Sequence, residues 1–487
     1  MKKLFPYLLL IIPAAYLVSC NKQLDKLPDN RAVITNVDQV TQLLVSAYPH
    51  AIYAPFTEPM SDNAEDKGGG PVTTDPESYQ INLQSYQYTD VTTLRFDSPT
   101  AYWDSCYRAI ATANLALGYC SGPDSASYAA QKGEALLCRA YAHFMLVCLF
   151  AKPYDPKSAA SDPGIPYITT VQTSVFQKYT RGTVATDYAN IESDLVRGLS
   201  LIQDRIYGTA PKFHFTQQAA HAFASRFYLF KGDYNQVIAH STAVFGTADP
   251  ATLIRDQFTL YNTLQYAQLA LAYTSSTSNG NILLQEAQSN YFDSYASYRY
   301  GYGLGLFNNV INGSNVTRGS YSVKTYGATP QAFNFPKWNP YYVGAASNNV
   351  RYGLFPLFSM EEVLMNRAEA YAWTNNLTAS LADLNTWVSK NVDDYDGSQN
   401  VTLTKAESWY GAPDYASLIL SALDFKRVTY MQEGLRWFDN IRLGFTIYRY
   451  NGSDFSTPVD SILPTDKRRV LQIPADAVAA GLEPNPR

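Results

Sequence analysis

Ala222-Phe223-Ala224-Ser225-Arg226-Phe227-Tyr228-Leu229-Phe230 and Met365-Asn366-Arg367-Ala368-Glu369-Ala370-Tyr371-Ala372-Trp373 decide the fold. Aligned on Tyr228 and Tyr371, each stretch ends an amphipathic helical pattern. A short polar turn follows in both, Lys231-Gly232-Asp233 in the first and Thr374-Asn375-Asn376 in the second. A second helical pattern begins directly after each turn, at Tyr234 and at Leu377. Small residues line the stripe that would meet a neighbouring helix. This is the helix–turn–helix economy of tetratricopeptide repeats. The copies are far apart and degenerate, so unrelated helical hairpins are the competing reading. In both cases, helices that bury one stripe against their neighbours build a stacked α scaffold.

The same period extends outward. Val37, Val40, Leu43, Leu44 and Ala47 give a helix within 37–53, and Tyr102, Cys106, Ile110, Ala113 and Leu117 give one over 101–119. A strong helix fits 129–150 and stops before Pro153. Further helices fit 184–204, 216–231, 233–246, 359–374, 377–391 and 414–434. Two regions break the period. Pro55, Pro59, Gly68-Gly69-Gly70, Pro71 and Pro76 make 54–100 read as a long loop. Residues 250–355 are rich in Asn, Ser, Gly and Tyr, and the last 35 residues carry Pro458, Pro464, Pro474, Pro484 and Pro486. The expected fold is mainly α. It is a tetratricopeptide-like helical-hairpin scaffold with long loop-rich insertions and little β, forming a single domain over 36–487.

The N-terminus has its own logic. Lys2 and Lys3 precede an apolar run from Leu4 to Val18, which ends at Leu17-Val18-Ser19-Cys20. A positive start, an apolar core and a small residue before the cut describe a secretory signal. The run is 15 residues long and holds Pro6 and Pro13, short of the roughly 20 apolar residues of a spanning helix. A cysteine at this point looks like a bacterial lipobox. Residues 1–19 are the expected signal peptide, Cys20 the lipidation site and 20–35 a flexible tether. The net charge is −5, and it becomes −7 once Lys2 and Lys3 leave with the signal. Such a surface offers nucleic acid no electrostatic attraction. The four remaining cysteines fall in pairs on two predicted helices: Cys106 and Cys120, Cys138 and Cys148. Spacings along one helix are too long for a bridge. An antiparallel hairpin could pair Cys106 with Cys148 and Cys120 with Cys138, and buried free thiols are the simpler expectation.

Nothing in the sequence signals catalysis, a cofactor or a metal. His50, His143, His214, His221 and His240 form no close ligand pair, and His143 reads as a core histidine. Gly301-Tyr302-Gly303-Leu304-Gly305 lacks the strand and helix a phosphate loop needs. Asp393-Asp394-Tyr395-Asp396-Gly397 misses the EF-hand spacing and reads as a solvated loop. The composition points elsewhere: 39 Tyr, 23 Phe and 6 Trp against 16% charged residues. Rings with an apolar face and a polar edge suit sugars, peptides or protein partners. A pyranose presents a C–H face to such a ring and hydroxyls to neighbouring polar side chains. The candidate ligand-binding rings are Tyr79, Tyr86 and Tyr88 in the first loop region. In the second they are Tyr295, Tyr298, Trp338, Tyr341 and Tyr342, with Trp338 held between Pro336 and Pro340.

Several further motifs occur in a fixed order. They are Tyr102-Trp103-Asp104-Ser105-Cys106-Tyr107-Arg108-Ala109-Ile110 with Asn114, Glu134 through Phe144, Lys152-Pro153-Tyr154 and Gly164-Ile165-Pro166-Tyr167. Arg181-Gly182-Thr183-Val184, Asp194-Leu195, Arg226-Phe227-Tyr228-Leu229 and Met360 through Tyr371 come next. Glu433-Gly434-Leu435-Arg436-Trp437-Phe438-Asp439-Asn440-Ile441-Arg442 and the terminal Pro484-Asn485-Pro486-Arg487 complete the set. With the lipobox, this series resembles the SusD/RagB family of Bacteroidetes outer-membrane lipoproteins over nearly the whole length. One departure is that Phe425 through Gln432 keeps bases but lacks the acids common there. The resemblance implies a tetratricopeptide-like scaffold that binds glycan without catalysis. It implies a SusC-like TonB-dependent transporter as partner, with the protein as a lid that delivers ligand to the channel. It also implies an outer-membrane, lipid-anchored location facing the exterior. Glu134, Arg139, Arg436 and Asp439 are expected to be packing residues rather than ligands. Peptide capture by the same kind of importer is the alternative, ahead of a lipoprotein glycosidase or a purely structural adaptor.

Overall fold

Gly232 and Asn375 occupy the same place in the two aligned hairpins, and both take left-handed backbone angles, φ 80° and φ 60°. The next residue caps the following helix in each case. Asp233 accepts from the Gln236 N–H and Asn376 from the Ala379 N–H, both at 3.3 Å. The repeat read from sequence therefore holds down to the turn chemistry: a left-handed stop, then a side-chain N-cap.

The computed structural model describes residues 34–68, 75–122, 124–172, 177–329, 332–343, 350–450 and 457–487. Cys20 and nearly all of the expected tether lie outside them. The chain begins with α1 (Val37–Leu44), capped by Asn36, then α2 (Ala54–Met60), β1 (Glu65–Asp66) and α3 (Pro76–Tyr86). Next come α4 (Pro99–Tyr119), α5 (Ala129–Phe150) and α6 (Val184–Leu201). α7 (Gln217–Lys231) and α8 (Tyr234–Phe245) form the first aligned hairpin. After α9 (Tyr266–Tyr273) the chain makes β2 (Asn281–Gln288), α10 (Tyr291–Ser294), β3 (Tyr300–Gly301) and α11 (Leu304–Leu306). Strands β4 (Tyr326–Thr329), β5 (Ala332–Asn334), β6 (Asn339–Val343) and β7 (Val350–Ser359) follow. The second hairpin is α12 (Met360–Trp373) with α13 (Leu377–Asn391). The chain closes with α14 (Leu403–Tyr410), α15 (Asp414–Thr429), α16 (Leu435–Arg442), β8 (Ile447–Arg449), β9 (Asp460–Ile462) and α17 (Ala475–Ala479).

α5 is apolar on every side because α4, α6, α1 and α7 surround it. Its composition and length would suit a membrane span, but it is wholly buried in protein. Cys106 on α4, Cys120 at its C-cap, and Cys138 and Cys148 on α5 are free thiols packed in this layer. The second hairpin stacks on the first through α12, which touches α7, α8 and α15. Charge is buried at these crossings, and it is paired. Arg139 on α5 grips Asp194 on α6 with two bonds of 2.7 Å. Arg226 on α7 grips Glu362 on α12 at 2.5 Å twice. Arg442 on α16 grips Glu369 on α12 at 2.7 Å twice. Such two-pronged contacts fix the register of one helix on another. Glu134, Arg139, Arg436 and Asp439 are all buried in this network, Glu134 accepting from the Tyr48 hydroxyl at 2.7 Å. The bases of the 425–432 stretch find their acids elsewhere: Lys426 meets Asp439 and Arg427 meets Asp62. His143 is a core histidine, accepting from the Ile168 N–H and stacked on Tyr167; burial lowers its pKa to about 3.

The loop regions are more ordered than the sequence suggests. Residues 54–100 hold α2 and α3. α2 is buried on all sides, so it shows no amphipathic period, and its two prolines hid it. Within 250–355 a three-stranded antiparallel sheet, ordered β2-β7-β6, backs onto the helices. The helix expected over 414–434 stops at Thr429, because Gln432 and Gly434 take positive φ before α16 begins.

Candidate functional site

β6 and β7 form a ribbon whose register pairs Tyr341 with Tyr352 and Tyr342 with Arg351. β2 flanks β7 only as far as Tyr352, which lies opposite Gln288. Beyond that point the ribbon overhangs the sheet, and successive side chains alternate between its two faces. On one face Tyr341 and Tyr352 stack at 6.1 Å and 23°, and the Tyr341 hydroxyl donates to Glu286 of β2. Burial and the Glu286 charge push the Tyr341 phenol pKa upward. On the other face the Arg351 guanidinium lies 5.4 Å over the Tyr342 ring, and its Nη2 donates to the Tyr342 hydroxyl at 3.3 Å. Tyr342 is 53% exposed, and Tyr341 and Tyr352 are half-buried.

The start of α3 meets the end of β2 at Asn290. Its side chain donates to Asp75, the N-cap of α3, at 2.6 Å, and its backbone N–H donates to Asp97 at 2.9 Å. Tyr79 sits half-buried in the first turns of α3, at this corner. Nearby, β1 pairs with β3, and Arg299 holds Asp66 with two bonds of 2.8 Å. The loop carrying these groups is fastened by carboxylates that accept from main-chain amides. Glu65 accepts from Gly305 and Leu306 at 3.0 and 3.1 Å. Glu58 accepts from Gln432 and Gly434, each at 2.8 Å. Burial raises the pKa of Glu58, Glu65 and Asp97 to about 7 in each case.

Of the eight candidate rings, Tyr341 and Tyr342 lie on the ribbon, and Tyr79 lies on α3, where it interacts with Arg299. Four others belong to the core. Trp338 is 3% exposed and packs on Phe292 and Tyr291. Tyr295 and Tyr298 are buried beside Tyr291, the Tyr295 hydroxyl donating to the Phe335 carbonyl at 2.8 Å. Tyr88 is buried against Trp437, and its hydroxyl meets Met60 and Arg449. Tyr86 is sandwiched between Tyr300 at 4.2 Å and the Arg449 guanidinium at 4.3 Å, so its ring faces serve packing. No platform of exposed rings can include these five. Sequence reasoning missed Tyr352, Glu286 and Arg351, which become neighbours of Tyr341 and Tyr342 only through strand register. Period-two spacing of tyrosines across two paired segments is the signal that could have shown them.

Fold and site together define a helical-hairpin scaffold that presents tyrosines and charged side chains from inserted strands and loops. Residues 22–229 match the family SusD-like_3, described as "Starch-binding associating with outer membrane". No curated protein matches the chain in sequence. Among solved structures, a SusD superfamily protein from Bacteroides thetaiotaomicron superposes with TM-score 0.65 at 19% identity, over 93% of this chain and 100% of that one. A SusD-like carbohydrate binding protein from Bacteroides vulgatus gives TM-score 0.66 at 16% identity, over 92% and 97%. A SusD superfamily protein from Bacteroides fragilis gives 0.65 at 16%, over 92% and 99%. The chain is thus similar to the SusD-like family in sequence over residues 22–229, and over nearly all its length it has the fold of these solved structures.

Proposed function

We propose that this protein binds glycan at the outer membrane and passes it to a SusC-like TonB-dependent transporter, without catalysis. It is anchored through a lipid on Cys20 and faces the exterior. The observation that carries the reading is the overhanging β6–β7 ribbon. One face offers Tyr341 and Tyr352 beside the Glu286 carboxylate, and the other offers the exposed Tyr342 beside the Arg351 guanidinium; each pairs ring surface with a polar group, as a pyranose needs. The description of the matched family and the carbohydrate-binding relative from Bacteroides vulgatus point the same way.

The test is retention of the full chain in native gels cast with single polysaccharides, starch first, followed by calorimetry on the one that retards it. Tyr342→Ala and Tyr341→Ala should each weaken binding about two- to tenfold, the worth of about 0.5–1.5 kcal/mol per aromatic contact. Unchanged retention in the double variant would remove the ribbon from the site. Hydrolysis of the bound polysaccharide by purified protein would overturn the non-catalytic reading.

A further inference from the structure

A cavity lies on the helical side of the molecule, lined by the N-terminal half of α4, by residues within 166–172 and 177–179, and by α17 with the residues just after it. It encloses about 510 Å³ and shares no residue with the β6–β7 ribbon. That is within the range of small-molecule sites, about 300–1,000 Å³. Its floor is aromatic and aliphatic. Trp103 and Tyr107 meet there at 4.9 Å and 56°, beside Ile168 and Leu482. The Tyr107 hydroxyl is spent on the Pro166 carbonyl at 2.9 Å, so the ring itself is what this residue gives the cavity.

The lining polar groups are uncommitted. Asp104 and Arg108 stand one turn apart on α4, both exposed, and neither makes a hydrogen bond or ion pair among the described residues. The same is true of the Gln172 and Gln177 side chains. The Tyr179 hydroxyl is buried and has no hydrogen-bond partner among the described residues. This contrasts with the helix crossings, where buried Arg, Asp and Glu side chains are paired. A buried hydroxyl without a partner costs free energy unless something supplies one.

We propose that this cavity is a second binding site, for a neutral mono- or disaccharide. A carboxylate, a guanidinium, two amides and a phenol around an aromatic floor supply both donors and acceptors for ring hydroxyls, and a face for ring C–H groups. The electrostatics narrow the class. Asp476 stands near Asp104, and burial and that neighbouring charge raise the Asp104 carboxyl pKa, so an anionic ligand is disfavoured. Arg108 at the same mouth offsets one of the two carboxylates, which leaves little net charge to hold a cation. The site stands on these residues alone and holds whether or not the ribbon binds polysaccharide.

The experiment is saturation-transfer NMR with maltose, cellobiose and lactose on the full chain, with glucuronate and a glycyl dipeptide as charged controls. At least one neutral disaccharide should receive saturation. Tyr179→Phe should weaken its binding severalfold and Asp104→Asn about tenfold. Tyr179→Phe removes only a hydroxyl that bonds to none of the described residues, so its melting temperature should equal the wild type's. Ala111→Trp, at an exposed position lining the cavity, should abolish binding. Tyr342→Ala should leave it intact, which separates this site from the ribbon. The proposal falls if none of the three disaccharides binds, if Ala111→Trp binds as well as wild type, or if glucuronate or the dipeptide binds more tightly.

Discussion

Arg226→Met tests the joint between the two hairpins most directly. The guanidinium is 3% exposed and makes two 2.5 Å bonds to Glu362, itself 4% exposed. It also donates to the Leu357 carbonyl at 2.7 Å and lies 4.3 Å over the Phe358 ring. Methionine keeps most of the stem's packing and removes the charge. It strands a buried carboxylate that, among the described residues, accepts hydrogen bonds from Arg226 alone. Breaking a buried pair this way costs about 3–5 kcal/mol, because one ion stays desolvated without compensation. Replacing both partners, Arg226→Met with Glu362→Leu, removes the stranded charge and should bring stability back to within about 1–2 kcal/mol of wild type. The assay is equilibrium urea unfolding of the four members of the cycle, followed by far-UV circular dichroism and tryptophan fluorescence. Coincident transitions license the two-state free energies. A single variant within about 1 kcal/mol of wild type, or a double variant as unstable as the sum of the singles, would refute the argument.

Trp338→Ala should destabilise by about 3–5 kcal/mol in the same unfolding assay, because the ring fills the core beside Phe292; loss of glycan affinity with unchanged stability would contradict its burial. At Gly434, φ is 78° and an added Cβ would fall 2.2 Å from the Thr57 hydroxyl and 2.8 Å from Ala54 Cα. Gly434→Ala should therefore cost about 1–3 kcal/mol from crowding, with about 1–2 more from the left-handed backbone, read as a lowered urea midpoint. Glu65 gives a pH prediction. Burial raises its folded pKa to about 7, against about 4.3 unfolded, so its contribution to stability is fully present below about 4.3 and is lost as pH rises through 7. Unfolding midpoints measured from pH 4 to 8 should fall less steeply across that window in Glu65→Gln than in wild type, and parallel curves would show that Glu65 does not titrate there.

The scaffold was legible because its helices bury one stripe and carry their own stop and start signals. The equivalence of Gly232 with Asn375, and of Asp233 with Asn376, is visible in the alignment on Tyr228 and Tyr371. Where burial is complete on all sides the period vanishes, and α2 was hidden for that reason. Strand β7 escaped notice too: its Pro356 and Gly353 resemble loop residues, yet it is the central strand of its sheet. The rings were harder to place than the helices. Trp338 lies between two prolines and follows Lys337, which looks like an exposed turn. Lys337 is instead buried, with its ammonium on Glu433 at 2.6 Å, and it carries the tryptophan inward. Tyr341 and Tyr342 were found, but their partners Tyr352, Arg351 and Glu286 depend on pairings between distant segments that no local pattern encodes.

The acids that clasp the inserted loops do so largely by reaching peptide groups, and the side chains they also meet, Asn63 and Ser289, are buried rather than displayed. Glu65, Glu58 and Asp97 are therefore indifferent to which amino acids occupy the rim. A lineage could exchange every displayed tyrosine for another residue and leave the clasps closed. Diversification of what is bound would then proceed without renegotiating how the molecule is held together.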